Sequence, residues 1–419
     1  MAEQRTPAAT DVLVIGAGPA GIAAACTAAE AGLRVDVIDD NPAAGGQIWR
    51  GGAPQATAWL DRLARSGASL HPATSVIDVV PREAGPPAVI TRAADVSVWQ
   101  ARTIVLATGA RERFLPFPGW TLPGVVGAGG LQALVKQGLE VRGRRIVIAG
   151  TGPLLLAVAE LLVARGATVV AVAEQARLSR LIRFAAALVG HPAKLVQAAG
   201  IRRAIGPVLR TGTFPLAVRP ERDAVVVTLA SGRSGRERRD DIPCDVVACG
   251  FGLVPNVEIA RALGCDVHAG GITVDGFGAT TVSGVVAAGE CTGVGGVDKS
   301  LVEGRIAGLV AAGRRDQAGP MVREQRRWRR FAAALDEAFA LDRRLAGLAT
   351  ADTVFCRCED VVAGRLACHR SWREAKLMTR IGMGPCQGRV CGPAAETLFG
   401  WSPEDVRPPF SPVPLGDLS

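Results

Sequence analysis

The sequence predicts an α/β protein in which two Rossmann-like domains, one inserted in the other, are followed by a small, mainly helical domain. Three observations support this prediction. Glycine-rich turns at 16–21 and at 150–155 each follow an apolar run typical of a buried parallel strand and precede a helix-like stretch of small or apolar residues. After residue 350, four cysteines in two close pairs mark a region of different chemistry.

The first glycine turn follows the apolar run 11–15 and has the pattern Gly16-x-Gly18-x-x-Gly21. In such a turn the first glycine allows a tight bend, the second lets the backbone approach a pyrophosphate, and the third lets the helix pack on the strand. Asp39 ends the next apolar run, where a carboxylate can accept hydrogen bonds from ribose hydroxyls. The strand, helix, second strand and terminal acid together predict a dinucleotide site.

Three further segments favour FAD over NAD as the ligand of this site. They are a strand that runs into the turn Thr108-Gly109, a turn at 252–256, and a strand that ends in Gly289-Glu290 before a glycine-rich loop and a helix. Their order resembles flavoproteins with two dinucleotide-binding domains, the glutathione-reductase-like group. In that group an acid at the position of Glu290 binds the ribityl chain. Aspartate is commoner there, and glutamate lengthens the reach of the carboxylate.

Residues 145–174 repeat the strand, turn, helix and strand of the first site. Gly150 and Gly152 match its first two glycines, but Leu155 stands where the third would be. Glu174 ends the second strand and would repel a 2′-phosphate, so NAD is favoured over NADP if the site is filled. Two interpretations stay open: a NAD site, or a fold that persists without a nucleotide because one glycine role is missing.

The C-terminal cysteines have the pattern Cys356-x-Cys358, then 27 residues, then Cys386-x₄-Cys391. Two close pairs can converge on one site, and backbone N–H groups before Cys386 can donate hydrogen bonds to cluster sulfides. Cys-x-Cys is tighter than the usual zinc knuckle, so an iron–sulfur cluster is favoured, with zinc as the alternative metal. Cys368 is left over and is expected to pack against a helix.

The other cysteines and the histidines indicate no further redox or metal site. The first 350 residues contain no Cys-x-x-Cys, so the thiol pair of a disulfide reductase is missing there. Cys291, next to Glu290, is predicted to be structural because no base is identifiable beside it, and the four histidines have no metal-ligand spacing. No catalytic residue can therefore be singled out.

Seven motifs, spread over nearly the whole chain, point to one family. They are VIGAGPAG, IDDNPAAGGQIWR (38–50), ATGARERFLPFPGW (107–120), CGFGLVPN (249–256), AAGECTGVGG (287–296), CRCED (356–360) and GMGPCQGRVCG (382–392). With these motifs the sequence resembles the large flavoprotein subunits of hydrogen cyanide synthase, opine oxidase and hydroxyproline dehydrogenase. The cysteine-rich end resembles the bacterioferritin-associated-ferredoxin-like [2Fe–2S] domain.

The resemblance implies cofactors, partners and site residues. Gly45, Gly46 and Gln47 would lie near the flavin ring, and the four paired cysteines would be the cluster ligands. In that family the large subunit forms a complex with a second, amino-acid-oxidase-like flavoprotein subunit that oxidises the amine or amino acid. A third, small subunit is a further expectation, as is an FMN at the interface between subunits. The segment VDKS at 297–300 departs from the family, where small residues are more usual, so partner contacts are expected to differ.

Composition and charge favour a globular, cytoplasmic protein, with membrane association through its partners as the alternative, and argue against nucleic-acid binding. The net charge of +9 is concentrated in two arginine-rich stretches, 201–240 and 314–345. We expect a polar loop at 231–241 in the first and an amphipathic helix in the second, and no nucleic-acid-binding motif accompanies either. The N-terminus lacks the layout of a signal peptide, and no apolar run reaches the roughly 18 residues that a membrane span needs.

The sequence therefore predicts a FAD- and [2Fe–2S]-containing oxidoreductase subunit that passes electrons from an amine or amino acid to a quinone or other carrier. Its rivals are a self-sufficient NADH-dependent reductase and a non-catalytic relay subunit. The predicted domains are an FAD domain in two parts, an inserted NAD-type domain, a basic helical linker and a [2Fe–2S] domain: 1–114 with 246–315, 115–245, 316–350 and 351–419.

Overall fold

The computed structural model describes residues 8–52, 54–83, 85–233, 236–402, 406–414 and 416. The chain divides into two compact units. The first unit contains the described residues up to Arg111, those of Val254–Ala333, and those from 406 onward. The second unit contains the described residues of Glu112–Leu253 and of Ala334–Glu404.

The strands of the described residues follow in chain order. They are β1 (Ala8–Ile15), β2 (Val35–Ile38), β3 (Ser69–His71), β4 (Ser75–Val80), β5 (Ala88–Arg92), β6 (Val96–Leu106), β7 (Ala110–Glu112), β8 (Val125–Gly127), β9 (Arg145–Thr151), β10 (Thr168–Glu174), β11 (Leu209–Thr211), β12 (Thr213–Glu221), β13 (Ala224–Arg233), β14 (Arg236–Cys244), β15 (Val246–Phe251), β16 (Leu253–Pro255), β17 (Val267–His268), β18 (Gly271–Ile272), β19 (Val285–Ala287), β20 (Val354–Cys356) and β21 (Val361–Val362).

The α-helices of the same residues are α1 (Pro19–Glu30), α2 (Gly46–Trp49), α3 (Pro54–Ser66), α4 (Ala128–Lys136), α5 (Pro153–Ala164), α6 (Leu178–Ala187), α7 (Pro192–Ile205), α8 (Glu258–Ala262), α9 (Gly296–Ala311), α10 (Arg315–Ala338), α11 (Trp372–Thr379) and α12 (Cys391–Phe399). Helix α10 contains most of the second arginine-rich stretch, in agreement with its predicted helical spacing. None of the described helices is both long enough and apolar enough to cross a membrane.

The first unit is built on a sheet with the strand order β3-β2-β1-β6-β5-β4, with β19 also paired to β6. Strands β1, β2, β3, β6 and β19 are parallel, whereas β4 and β5 form an antiparallel edge. Residues 12–15 of β1 are buried, as expected for a strand covered on both faces. The carboxyl ends of β1, β2, β6 and β19 therefore bring the glycine turn, Asp39, Thr108 and Glu290 to one edge of the sheet.

Helices α1 and α9 of the first unit pack closely because glycines face α1. A Cβ atom on Gly304 would lie 2.9 Å from the Cβ of Ala23, and one on Gly308 would lie 2.6 Å from the carbonyl oxygen of Ala24. Side chains at either position would push the helices apart. Helix α9 begins after the loop that carries Glu290, so this packing positions that loop.

The second unit contains a parallel sheet with the order β11-β10-β9-β15-β8 and an antiparallel sheet of β12, β13 and β14. The prediction of a polar loop at 231–241 was wrong for the part that the structure describes; residues 234 and 235 lie outside the described residues. Residues 231–233 end β13 and Arg236–Cys244 form β14, paired in continuous register from Arg233 with Arg236 to Val225 with Cys244. Cross-strand pairing overrode the polar, charged composition of this segment.

The cysteine-rich segment packs within the second unit. Its Phe355, Trp372 and Ala395 belong to the same hydrophobic cluster as Phe117 and Phe214. The indole Nε1 of Trp120 donates a hydrogen bond of 2.6 Å to the carbonyl of Val354. The predicted α/β fold with two Rossmann-like sheets is confirmed, whereas the predicted domain boundaries stay a prediction.

Candidate functional site

The glycine turn of the first unit leaves an open space at its second glycine. Gly16 has a φ of +104°, and added Cβ atoms on Gly16 and Gly21 would collide with the carbonyl oxygens of Ala107 and Gly16. At Gly18, by contrast, no heavy atom of the described chain lies within 4 Å of such a Cβ. Gly18 is also the residue that precedes helix α1. The first and third glycines thus serve close packing, and the second leaves room in front of a helix N-terminus.

Asp39 lies at the end of β2 and holds the glycine turn. Its Oδ2 accepts a hydrogen bond of 2.5 Å from the backbone N–H of Ala17. Its Oδ1 accepts bonds of 2.8 Å from the backbone and the side-chain amide of Asn41. The carboxylate therefore lies beside the turn, as predicted for a ribose-binding acid, and it also stabilises the turn itself.

The second turn of the predicted flavin site packs on the first. The backbone N–H of Gly45 donates a 2.8 Å hydrogen bond to the carbonyl of Ala17, and a Cβ on Gly46 would lie 3.1 Å from the Cα of Gly18. Gln47 follows in the short helix α2 and is exposed. A side chain on Gly46 would therefore hinder this close approach, and Gly45 has a φ of +118°, which favours glycine.

Thr108 and Gly109 are fixed by Asn256, from the turn that the sequence associates with FAD. The Thr108 hydroxyl donates a 2.7 Å bond to the carbonyl of Asn256, and the Asn256 amide returns a 2.8 Å bond to the carbonyl of Thr108. The backbone N–H of Asn256 donates to the carbonyl of Gly109 at 2.9 Å. Residues that are almost 150 positions apart thus form one rigid corner at the end of β6.

Glu290 follows β19 in a 3₁₀ turn at the same edge of the sheet. Burial raises the pKa of its carboxyl, although the backbone N–H of Gly296 and the charge of Lys299 act in the opposite direction. The Gly296 N–H lies 3.3 Å from Oε1 and belongs to the first turn of α9. Glu290 is therefore held at a helix N-terminus, a position that favours a negative charge.

The loop around Glu290 rests on a buried ion pair that the sequence did not predict. The Nζ of Lys299 lies 2.8 Å from Oε2 of Glu303, and both side chains are only 3% exposed. Lys299 also donates to the carbonyls of Gly289 and Gly293, each at 3.0 Å. Arg329 of α10 donates to the other oxygen of Glu303 at 3.1 Å. This network ties both ends of the loop to helices α9 and α10.

Substitution of Lys299 by methionine is expected to lower the free energy of unfolding by about 3 kcal/mol, because a buried carboxylate then loses its closest cation. Chemical denaturation monitored by circular dichroism would measure the change. A matched control is Arg315→Gln, which breaks the exposed pair of Arg315 with Asp275 at 2.7 Å and should cost less than about 1 kcal/mol. Equal losses in the two variants would show that the buried Lys299 pair stabilises the protein no more than an exposed pair does.

The glycine turn of the second unit follows the predicted pattern at two of its three positions. A Cβ on Gly150, whose φ is +140°, would collide with the carbonyl of Gly250, and Gly152 has no neighbour within 4 Å among the residues that the structure describes. Leu155 is buried in the core cluster that includes Leu131 and Val158. The bulky residue thus packs between helices, in place of the close contact that a third glycine would allow.

The carboxylate of Glu174 is already bound by its own chain. Its Oε2 accepts from the backbone N–H of Gly152, and its Oε1 accepts from the Thr151 hydroxyl and the Ala176 N–H, each at 2.8 Å. Burial raises its pKa in spite of these bonds. Glu174 therefore lies where the sequence predicts a ribose-binding acid, with three protein donors around it.

A distant segment, 339–342, covers this end of the second sheet. The carbonyl of Phe339 accepts from the Thr151 hydroxyl at 3.3 Å, and the carbonyl of Ala340 accepts from the side-chain amide of Gln175 at 3.1 Å. The backbone N–H of Asp342 donates to the same Gln175 at 2.8 Å. No local sequence signal marks this segment, because its partners lie more than 160 residues away.

Glu112 is a buried titratable group that the sequence analysis did not predict. Its Oε1 accepts a 2.9 Å hydrogen bond from the backbone N–H of Gly129, in the first turn of α4. Burial raises the pKa of Glu112 to about 7, with the N–H groups of Gly129, Gly130 and Ala128 acting against it. The side chain caps α4.

The four paired cysteines come together in the second unit. The neighbouring Cys391 thiol, through hydrogen bonding, lowers the pKa of Cys356 to about 6 and that of Cys386 to about 5. Cys358 also hydrogen-bonds with Cys386, so all four sulfurs belong to one group. A Cβ on Gly384 would collide with Cys358, which explains a glycine before Cys386. Two of these thiols are biased toward the thiolate, the form in which cysteine binds metals, whereas the pKa values of Cys358 and Cys391 are raised.

The remaining thiols do not join this group. Among the residues described, the four paired cysteines included, no set of three or more His, Cys, Asp or Glu side chains is arranged as a preformed metal site. Cys368 is exposed and does not pack into a helix interface as expected, because it lies beside His369 in a polar turn. Cys291 is buried, and burial raises its pKa to about 11, in keeping with its predicted structural role.

Comparison with known proteins adds relatives that match over the full chain. One of the opine oxidase subunits of Rhizobium meliloti (strain 1021) is 34% identical, over 98% of this chain and 98% of its own. Hydrogen cyanide synthase subunit HcnB of Pseudomonas protegens is 29% identical, over 96% of both chains. The crystal structure of L-proline dehydrogenase from P. horikoshii has the same fold, with a TM-score of 0.69 at 17% identity over 99% of this chain and 80% of that one.

The family assignment rests on the segment that contains both glycine turns. Residues 10–315 match the pyridine nucleotide-disulphide oxidoreductase family, and they include every predicted flavin-site residue. The full-length relatives, which are named as subunits of an oxidase and of a synthase, agree with this match. The chain belongs to the pyridine nucleotide-disulphide oxidoreductase family and is a FAD-dependent oxidoreductase.

Proposed function

We propose that this chain is the FAD- and [2Fe–2S]-containing subunit of an amine or amino-acid oxidoreductase. It would pass electrons from an opine, hydroxyproline or glycine-type substrate to a quinone or other carrier. The observation that carries the proposal is the gathering of Cys356, Cys358, Cys386 and Cys391 in a chain that also has an open glycine turn. The first 350 residues of this chain contain no Cys-x-x-Cys, so the redox pair of a disulfide reductase does not account for these four cysteines.

The first unit offers the residues that would hold FAD. Gly18 leaves space for the pyrophosphate in front of α1, and Asp39 lies beside it for the ribose. Gly46, Gln47, Thr108, Gly109, Gly289 and Glu290 would surround the rest of the molecule. FAD, when bound, supplies hydride acceptance and the release of electrons one at a time. The Lys299–Glu303 pair would keep the Glu290 loop in place.

The cysteine group suits a thiolate-bound iron–sulfur cluster. Lowered pKa values at Cys356 and Cys386 favour the ligating form of both thiols. Such a cluster supplies one-electron transfer when bound. The glycines 382 and 388 lie against Trp372, where a Cβ would approach its ring to 2.6 and 3.1 Å, so the turn around Cys386 is held by packing. Zinc remains the alternative metal that the same four sulfurs could bind.

A second flavoprotein subunit would oxidise the substrate. The relatives that match over the full chain are named as subunits of an opine oxidase and a hydrogen cyanide synthase. That these relatives are subunits supports an assembly of more than one chain, with an amine or amino acid as substrate. A third, small subunit belongs to the same proposal, as does an FMN at the interface.

A self-sufficient NADH-dependent reductase is the second candidate, favoured by the complete strand–turn–helix–strand pattern of β9, α5 and β10. Two observations weigh against it. The Glu174 carboxylate is bound by three donors of its own chain. Segment 339–342 also lies on Thr151 and Gln175, where the ribose of a dinucleotide would approach Glu174. We therefore propose that the second unit persists as a fold without NAD.

The proposal is tested by dye reduction. The chain expressed alone should bind flavin and cluster but oxidise no amino acid or opine with an artificial electron acceptor. Co-expression with an amino-acid-oxidase-like neighbour should restore dye reduction and give a stable hetero-oligomer. NADH should bleach the flavin of the isolated chain slowly or not at all. Substrate turnover by the lone chain would overturn the partner model, and fast bleaching by NADH would favour the reductase.

A further inference from the structure

Asp36 is a buried carboxylate inside strand β2 of the first unit. Its side chain is 7% exposed, and its Oδ1 lies 2.8 Å from Nε2 of His71, at the end of β3. Its Oδ2 is buried and has no hydrogen-bond partner in the described chain. Arg34 lies 3.9 Å away with a side chain that is 70% exposed, so water and salt screen its charge. His71 is therefore the residue that satisfies this buried acid.

Stability alone does not explain the pair of Asp36 and His71. A buried ionic pair is often no more stabilising than apolar side chains of similar volume. The other residues of β2, Val35, Val37 and Ile38, are apolar and buried, so an apolar side chain would suit the position of Asp36. The unbonded Oδ2 of Asp36 adds a further cost. The best-attested use of such buried polar pairs is to select one alignment of two elements over another.

Strand β3 is an element whose alignment needs such a contact. It has only three residues, lies at the edge of the sheet, and exposes Ser69 and Leu70. The register of a strand is weakly specified where neither face is buried. His71 pairs with Ile38 in the parallel ladder, and a slip by one residue would turn its imidazole away from Asp36. The contact with Asp36 therefore favours one register of β3 on β2.

The residues that follow His71 hold the acid of the proposed ribose site. The backbone N–H of Asp39 donates to the carbonyl of His71 at 3.1 Å, and the carbonyl of Asp39 accepts from the N–H of Thr74 at 2.8 Å. The carbonyl of Asn41, whose amide groups bind the Asp39 carboxylate, accepts from the N–H of Ala73 at 2.9 Å. Ala73 has a φ of +50°, a strained value for alanine that persists only where the surroundings impose it. The alignment of β3 thus fixes both main-chain groups of Asp39.

We propose that His71 is a positioning residue of the FAD site. Through its contact with Asp36 it sets the alignment of β3, and through β3 it sets the place of the Asp39 carboxylate that would bind the ribose. The inference rests on the proposed flavin site and assigns His71 no contact with the cofactor. No local pattern marks His71 in the sequence, because the acid that it contacts lies 35 residues away.

Titration of the flavin-free full chain with FAD tests the inference, with the binding constant and the midpoint of urea unfolding as readouts. The variant D36V/H71F replaces the pair by apolar side chains and keeps a ring beside Trp99, whose centroid lies 4.9 Å from that of His71. It should unfold at the midpoint of the parent or above it. It should nevertheless bind FAD at least about fivefold more weakly, because Asp36 no longer aligns β3. His71→Gln keeps a donor for Asp36 and should bind FAD within about twofold of the parent.

A cycle with Asp39→Ala separates positioning from a general effect on the fold. If His71 acts through Asp39, the variants Asp39→Ala and D36V/H71F/D39A should bind FAD equally, since no carboxylate remains to be placed. His268→Phe is the matched control, because it changes an exposed histidine at the end of β17. It should bind FAD like the parent.

Parent-like FAD affinity of D36V/H71F would overturn the inference. An equal further loss in the Asp39→Ala background would do so too, because His71 would then act on the fold in general. Parent-like FAD affinity of Gly18→Val would instead overturn the proposed flavin site, so the two failures are distinguishable.

Discussion

Substitution of Gly18 by valine is expected to remove the flavin while the fold stays intact. Gly18 has φ of −77° and ψ of −176°, an extended conformation that valine adopts without strain. An added Cβ would meet no heavy atom within 4 Å in the described chain. The space in front of Gly18 is the one that we assign to the pyrophosphate, so the side chain would exclude the ligand and nothing else.

Two measurements check this result: flavin absorbance per mole of purified protein, and the free energy of unfolding of the flavin-free chain. The flavin should be lost, and the stability should change by no more than about 0.5 kcal/mol. Gly21→Val is the contrasting variant, because its Cβ would collide with the carbonyl of Gly16 and should disturb the fold itself. Full retention of flavin by Gly18→Val would show that FAD binds elsewhere.

Substitution of Cys386 by serine is expected to abolish the iron–sulfur cluster and leave the flavin bound. Cys386 interacts with Cys391 of its own pair and with Cys358 of the other pair, so its loss removes one of the four sulfurs together with one of the contacts between the pairs. The parent protein should be brown and give a rhombic paramagnetic signal when it is reduced. The variant should be yellow, without that signal, and with its iron content reduced to background.

Cys368→Ser provides the matched control, because this cysteine lies in the same segment but is exposed and bonds with Arg365 and His369. Its iron content and signal should equal those of the parent. Stoichiometric zinc without iron, after anaerobic purification of the parent, would show that the four cysteines hold a structural zinc ion and not a redox cluster. The proposed electron relay would then have no second centre.

The first site could be predicted from the sequence because its parts are local. Gly16, Gly18 and Gly21 lie within six residues, and each glycine meets the steric condition that the pattern implies. Asp39 is only 22 residues from the turn that it contacts. A parallel strand, a turn and a helix determine these positions together, although the carbonyl that limits the space at Gly16 belongs to Ala107, after the neighbouring strand β6.

The support of the Glu290 loop could not be predicted, because its partners meet only in the folded chain. The segment that contains Lys299 differs from the resembled family, but that difference does not show whether the side chain is exposed. Burial beside Glu303 and the contact with Arg329, 26 residues farther along, decide its role. The spacing of Lys299 and Glu303 would equally suit an exposed helical pair.

The second site shows a different limit. Leu155 indicates that one glycine role is missing, and the structure shows how the core accommodates it. Segment 339–342 carries no motif at all. It follows directly after the end of α10 and contacts Thr151 and Gln175 only in the folded chain. Whether a nucleotide crevice is covered depends on such distant backbone atoms, which no pattern within β9, α5 and β10 can reveal.

The most direct test of the electron relay is paramagnetic resonance on the assembled complex. The amine or amino-acid substrate is added without oxygen or any other reductant, and the cluster signal is recorded. The account predicts that substrate alone produces the rhombic signal, and that the complex with Cys386→Ser reduces its flavin but no longer passes electrons to the carrier. Wild-type rates of carrier reduction in the Cys386→Ser complex would contradict it, because electrons would then bypass the four cysteines.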